Sequence, residues 1–172
     1  MSPSALNIRP TVTNPRIRIH LDRQRLELLG NSGVLEGWPI STARNGAGQL
    51  RDSGCTPLGR HRIRIRIGDG CPLNTVFVGR RPTGELYSPK LDETQPGRDW
   101  ILTRILWLTG TEPGRNRGGP VDTLCRYIYI HGTPDSEPMG MPLSHGCIRM
   151  HNADLVSLFD QVRAGDVVDI LP

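Results

Sequence analysis

Aromatic side chains are scarce in this chain of 172 residues: three Trp, three Tyr and two Phe. The scarcity argues against a single-stranded nucleic-acid binder, which needs aromatic platforms between its basic residues. No apolar run of about 20 residues occurs, so no membrane segment is expected. Residues Met1 to Thr13 lack the apolar centre of a secretion signal. That points to a cytoplasmic protein, or to a periplasmic one if a leader has been removed. Paired short-spaced metal ligands such as Cys-x-x-Cys are missing. The Gly118-Gly119 pair has the spacing of neither a P-loop nor a dinucleotide fingerprint. Internal repeats and low-complexity tracts are absent as well. The net charge of +4 is compatible with an anionic partner but does not identify one.

Glycine and proline are abundant, 20 and 15 residues. With so few aromatics they favour β-structure with many turns over a helix bundle. The length suits one domain with a sizeable core, expected over residues 15–172 behind a loose N-terminal segment, 1–14. Arg16-Ile17-Arg18-Ile19-His20-Leu21 alternates strictly and reads as a strand with His20 on its polar face. Arg25 to Leu28 returns, and Val34 to Ser41 is a third strand. His61-Arg62-Ile63-Arg64-Ile65-Arg66-Ile67 alternates again, with isoleucines on one face and arginines on the other. The basic stripe could invite nucleic acid, but a half-solvated strand explains it and no nucleic-acid partner is expected. Asn74 to Gly79 is a short strand, Arg80 to Gly97 a long polar excursion, and Trp100 to Leu108 a buried strand. Cys125 to Ile130 is a further strand, with Cys125 a core thiol. Asn152 is placed to cap a helix that Gly165 ends, before a closing strand, Val167 to Leu171. Cys55 and Cys71 are expected as unpaired thiols, or as a disulfide if the protein is exported.

The chemistry concentrates in Ser144-His145-Gly146-Cys147-Ile148-Arg149-Met150. Cysteine catalysis needs a thiolate, a base to generate it and donors for the developing oxyanion. Cys147 is the candidate nucleophile. His131, at the end of the Tyr127-Ile128-Tyr129-Ile130 run, or His145 is the candidate base. The backbone N–H groups at Gly146 and Cys147 are candidate oxyanion donors, since glycine permits close approach to the main chain.

The pattern His131-Gly132, a short loop bearing Pro and Gly, then Ser-His-Gly-Cys-Ile-Arg-Met resembles the signature of the L,D-transpeptidase catalytic domain. Thr56-Pro57-Leu58-Gly59-Arg60-His61 and the stretch from Glu112-Pro113-Gly114 to Gly118-Gly119 resemble supporting segments of that family, so the resemblance covers roughly residues 15–172. It implies a mostly β fold, a sandwich or irregular β-barrel with one or two short helices. It also implies an enzyme acting on peptidoglycan stem peptides. By the resemblance His131 is the base and the Gly132 carbonyl orients its other nitrogen. His145 lines the site, and Gly146 and Cys147 supply the oxyanion donors. Arg149 holds a substrate carboxylate. Ser144 stands beside it on the substrate side and supports the loop more readily than it reacts. No cofactor and no metal is implied, and carbapenems are expected to acylate the cysteine better than penicillins.

Other classes fit less well. A papain-like hydrolase places cysteine before histidine. A sortase-like transpeptidase carries its arginine further along, on a neighbouring strand. A zinc site from His131, His145, Cys147 and His151 is chemically possible but lacks closely spaced ligand pairs. A non-catalytic peptidoglycan-binding module would not need both nucleophile and base. The expected reaction is cleavage of the L-diaminopimelate–D-Ala bond through a thioester. In a cytoplasmic protein the acceptor is expected to be water, giving an L,D-carboxypeptidase of murein recycling that works on soluble muropeptides. The alternatives are 3-3 cross-linking and D-amino-acid exchange. The oligomeric state is not legible.

Overall fold

The computed structural model describes residues 13–172. The expected loose segment, 1–14, lies almost wholly outside the described residues. Ten strands dominate. They are β1 (Arg16–His20), β2 (Arg25–Gly30), β3 (Gly33–Pro39), β4 (Gly59–Ile67), β5 (Thr75–Val78), β6 (Arg81–Leu86), β7 (Ile101–Gly110), β8 (Tyr129–Gly132), β9 (Ile148–Met150) and β10 (Val167–Leu171). Two short α-helices, α1 (Pro89–Thr94) and α2 (Asn152–Phe159), and a single 3-10 turn at Gly119–Val121 complete the set among the described residues.

All ten strands share one open mixed sheet, with the path β3-β2-β1-β10-β4-β7-β5-β6. The long strand β7 is its branch point, pairing antiparallel with β4, β5 and β8. β9 then adds parallel to β8. Alternation builds the sheet's first part: Ile17 and Ile19 are fully buried while Arg16 is exposed. The two isoleucines join Leu26, Leu28, Val168 and Ile170 in one aliphatic core, roofed by Leu155, Leu158 and Phe159 of α2. Each such side chain contributes about 1.5–3 kcal/mol of burial, so the core holds without many aromatics.

Several local expectations give way to tertiary structure. β4 carries a register shift between Ile63 and Ile65. The bulge breaks the two-residue period, leaving Ile65 exposed while Arg66 stacks over the Phe159 ring at 3.9 Å. His20 is buried, with its Nε2 3.2 Å from Glu27 on β2. The polar excursion contains β6 and α1, the latter opened by Pro89 after Ser88, whose Oγ accepts from the Leu91 N–H. The strand expected from Cys125 begins only at Tyr129. The Asp122 carboxylate accepts from the N–H groups of Gly118 and Cys125 and folds the preceding residues into turns. Cys125 is therefore exposed rather than a core thiol. α2 is capped by His151, without a side-chain bond, and ends at Phe159 rather than near Gly165. Asn152 is buried in its first turn, where its amide donates to the Thr133 carbonyl and accepts from the Thr103 hydroxyl.

Candidate active site

The parallel pairing of β8 with β9 assembles the site. Its register sets Ile130 against Ile148 and His131 against Arg149. One step earlier, Cys147 lies beside Tyr129, whose N–H meets its Sγ at 3.3 Å. His131 is two residues beyond Tyr129, so both project from the same face of β8. His131, Cys147 and Arg149 line one cleft of ≈ 310 Å³. His145, Ser144 and Asp99 border it too.

The thiol is held in its neutral form. Its Sγ donates to the Tyr127 carbonyl at 3.4 Å and accepts from Tyr129. Burial pushes the Cys147 thiol up to about 12, against the smaller opposing pull of the Tyr129 N–H. Tyr127 adopts φ of +56°, a left-handed conformation that is costly for a bulky residue. That conformation belongs to the turn that brings its carbonyl to the sulfur.

His131 is also neutral. Burial lowers its pKa from the ordinary histidine value, and the contact with the Gly132 carbonyl only partly offsets this. Its Nδ1 is 2.7 Å from that carbonyl oxygen. A carbonyl can only accept, so Nδ1 carries the proton and Nε2 is left as the basic nitrogen. Gly132 must be glycine, since a Cβ there would collide with Asn152 Oδ1 and the Leu102 carbonyl. Asn152, expected only as a cap, thus packs directly behind the histidine–carbonyl pair.

His145 differs from His131. Its side chain is 76% exposed, and its Nδ1 lies 3.7 Å from Asp99 Oδ2. Of the two candidate bases, only His131 has a nitrogen fixed by a backbone partner. Ser144 is buried, donating to the Cys147 carbonyl at 2.6 Å and accepting from the Gly146 N–H at 3.2 Å. Its hydroxyl is spent on bracing the loop while Ser144 lines the cleft. The same bond occupies the Gly146 N–H, so the Cys147 N–H remains the better-placed donor of the expected oxyanion pair. Gly146 itself has φ of +135°, and an added Cβ would press on the Cys55 carbonyl and Ile128.

Three cleft residues escape a sequence reading. Asp99, just before β7, accepts from Arg149 Nη2 at 2.9 Å. Arg126 is clamped by the carbonyls of Gly48, Gln49 and Cys55, with no carboxylate partner among the described residues. Arg80 reaches the Tyr129 hydroxyl at 3.2 Å and lies over the rings of Trp107 and Tyr127. All three depend on contacts distant in sequence, and none sits in the motif. Neutral thiol, neutral imidazole and a cation-rich wall together suit acyl transfer from an anionic peptide, in which the base removes the thiol proton as the sulfur attacks.

Comparison with known proteins gives a consistent picture. The family profile described as L,D-transpeptidase catalytic domain matches residues 14–170. YkuD of Bacillus subtilis, named as an L,D-transpeptidase, is 36% identical over 85 residues, 46% of this chain and 46% of its own length. ErfK/SrfK of Salmonella typhimurium, named likewise, is 30% identical over 127 residues, 67% of this chain and 39% of its own. The chain therefore matches less than half the length of these curated relatives. Among solved structures, an L,D-transpeptidase from Mycobacterium smegmatis superposes with a TM-score of 0.58 at 18% identity, covering 92% of this chain and 59% of that one. L,D-transpeptidase 3 from Mycobacterium tuberculosis, in complex with a faropenem-derived adduct, gives 0.56 at 15% identity, covering 92% and 60%. These last two likenesses speak to the fold.

Proposed function

The chain belongs to the L,D-transpeptidase catalytic-domain family, and from that premise we propose that it is a cysteine acyltransferase acting on peptidoglycan tetrapeptide stems. The observation that carries the reading is that Cys147 and His131 line the same cleft, with His131 Nδ1 fixed by the Gly132 carbonyl and Nε2 left to accept a proton.

Cys147 Sγ attacks the carbonyl at the L-centre of diaminopimelate, and its proton passes to His131 Nε2. The Cys147 N–H stabilises the oxyanion. The intermediate collapses by breaking the amide C–N bond. D-Alanine leaves as a neutral amine, taking the proton from His131. The resulting thioester is attacked by water, which gives its proton to His131. Release of the tripeptide carboxyl restores the thiol. Water can reach this bond because the cleft is open at His145. The four free cysteines fit a reducing compartment. That supports a cytoplasmic site of action on soluble muropeptides and an L,D-carboxypeptidase outcome.

A second reading, transfer to an amine acceptor, is favoured by a second depression of ≈ 450 Å³ that shares Arg126, Tyr127 and His145 with the cleft. It offers room for another stem or a D-amino acid. Incubation with a soluble murotetrapeptide, with and without added D-amino acid, read by mass spectrometry, separates the two outcomes. Tripeptide as the main product supports hydrolysis. Exchanged tetrapeptide or 3-3 dimers support transfer. Absence of both from the protein, while a control enzyme acts, refutes the function.

A further inference from the structure

The residue that Arg149 holds in the free protein is a carboxylate of the chain itself. Asp99 Oδ1 accepts from Arg149 Nη2 at 2.9 Å, and the Arg149 side chain is only 11% exposed. Asp99 uses one oxygen for this. The other, Oδ2, stands 3.7 Å from His145 Nδ1, beyond hydrogen-bond reach. Asp99 itself is about half exposed and opens onto the cleft that contains Cys147. Its backbone is well anchored. Trp100 is buried and donates from Nε1 to Asp92 at 2.7 Å, and Arg98 lies over the Trp100 ring while pairing with Glu85. Asp99 thus offers a fixed carboxylate with one unused oxygen next to a fixed guanidinium.

The charge of the cleft narrows the ligand. Its lining carries three arginines, Arg80, Arg126 and Arg149, and one carboxylate, Asp99. A wall of that kind complements a ligand with more than one carboxylate and one ammonium. A purely anionic ligand would be repelled by Asp99, and a simple cation by the arginines. We infer that Asp99 and Arg149 together form a subsite for a zwitterionic α-amino-acid head group, Asp99 Oδ2 accepting from its ammonium and Arg149 donating to its carboxylate. On the acyl-transfer reading, on which this inference rests, that head group is the D-centre of the diaminopimelate side arm. Asp99 then reads the third residue of the stem and selects against residues lacking either charge.

The test is a matched set of soluble tetrapeptides. Its third residue is diaminopimelate, diaminopimelate acetylated on the D-centre nitrogen, or lysine. Each is assayed with the wild-type protein and with Asp99→Asn, which keeps size and the acceptor facing Arg149. For the diaminopimelate peptide, Asp99→Asn should lower kcat/KM roughly 10–100-fold, the range of a charge-assisted hydrogen bond. Acetylation should cost the wild type a similar factor and shrink the effect of Asp99→Asn to about twofold. The lysine peptide, lacking the carboxylate, should be poor with both proteins. Equal losses from Asp99→Asn on the free and acetylated peptides would overturn the inference. So would a gain in kcat/KM, which would make Asp99 a competitor for Arg149. A melting temperature of Asp99→Asn within a few degrees of wild type confirms that the comparison is between folded proteins; Asp99→Ser, which also removes the charge, serves the same comparison if the first variant is unstable. Failure of the wild type to cleave any of the peptides would instead refute the acyl-transfer reading, and the inference with it.

Discussion

Replacing His131 should change the pH dependence of acylation as well as its rate. The Cys147 thiol is pushed up to about 12 by burial, so at pH 7.5 only roughly one molecule in 10⁴–10⁵ holds a thiolate. A reaction that waited for that fraction would be slow. On the proposed mechanism, His131 Nε2 accepts the proton during attack, so the wild-type rate should not depend on a preformed thiolate. His131 is neutral above its lowered pKa. Acylation should therefore be flat with pH across neutrality and fall only on the acid side, below the lowered pKa of the imidazole. Without His131, the thiolate must form by simple titration, and the logarithm of the rate should climb by about one per pH unit. At pH 7.5 the loss should be roughly 10²–10⁴-fold, the usual worth of a general base. The assay is single-turnover acylation followed by intact mass, from pH 5.5 to 9.5, for wild type, His131→Ala and His131→Gln. His145→Ala should lose far less, because that ring is exposed and lacks a fixed partner. A His131 variant within threefold of wild type at pH 7.5, or one whose rate is flat with pH, would refute the reasoning. A thiolate absorbance titrating near pH 8 in the wild type would refute it as well.

Cys147→Ala should abolish D-alanine release and leave a folded protein, because it costs only two sulfur hydrogen bonds, from the Tyr129 N–H and to the Tyr127 carbonyl, about 1 kcal/mol each; alanine at Cys55, Cys71 or Cys125 should spare the chemistry, and D-alanine release assays check both. A carbapenem should add one adduct to the protein mass, absent in Cys147→Ala and unaffected by a chelator; loss of labelling with chelator would revive a metal-dependent reading. His61 gives a stability prediction. Its ring is fully buried between the Gly59 carbonyl and the Thr123 hydroxyl, and burial lowers it from 6.5 to about 4. The unfolded chain takes up this proton first as pH falls, so the native state should lose about 3 kcal/mol between pH 6.5 and 4 from this residue. Denaturant melts of His61→Gln should show a shallower decline than wild type over that window, and parallel curves would contradict the assignment.

The motif stands out in the sequence because its candidate groups are local: Ser144 to Arg149 lie together, and the His131-Gly132 step sets the histidine beside the carbonyl that holds its Nδ1. The strands β1, β7 and β10 were legible for a related reason, since alternation or continuous apolar character depends only on which face is buried. Asp99 was not legible, because its meaning lies in a contact with Arg149, 50 residues away. Arg126 was missed for the same reason, as its carbonyl partners lie more than 70 positions upstream. Cys125 and His20 failed differently. An Asx-type turn at Asp122 held the first outside the strand, and the neighbouring strand's Glu27 drew the second inward. Arg66 shows what one bulge can do: Ile65 is left exposed, and an arginine meant for solvent comes to lie on the ring of Phe159.

The burial of the Cys147 sulfur has a bearing on the lifetime of the protein. Peroxides and disulfides consume thiolates and largely ignore thiols. A nucleophile that stays protonated between turnovers is chemically dormant toward both, even though its surface is partly open. Oxidant resistance and catalytic competence need not compete on the proposed mechanism, in which reactivity arises only when an acyl donor and the His131 imidazole are engaged together. The exposed Cys125 lacks that burial, but Asp122 raises its pKa too, so the surface thiol is also restrained from acting as a sink for oxidants. The two cysteines are shifted in the same direction by different physics, one through burial and one through the hydrogen bond and charge of Asp122.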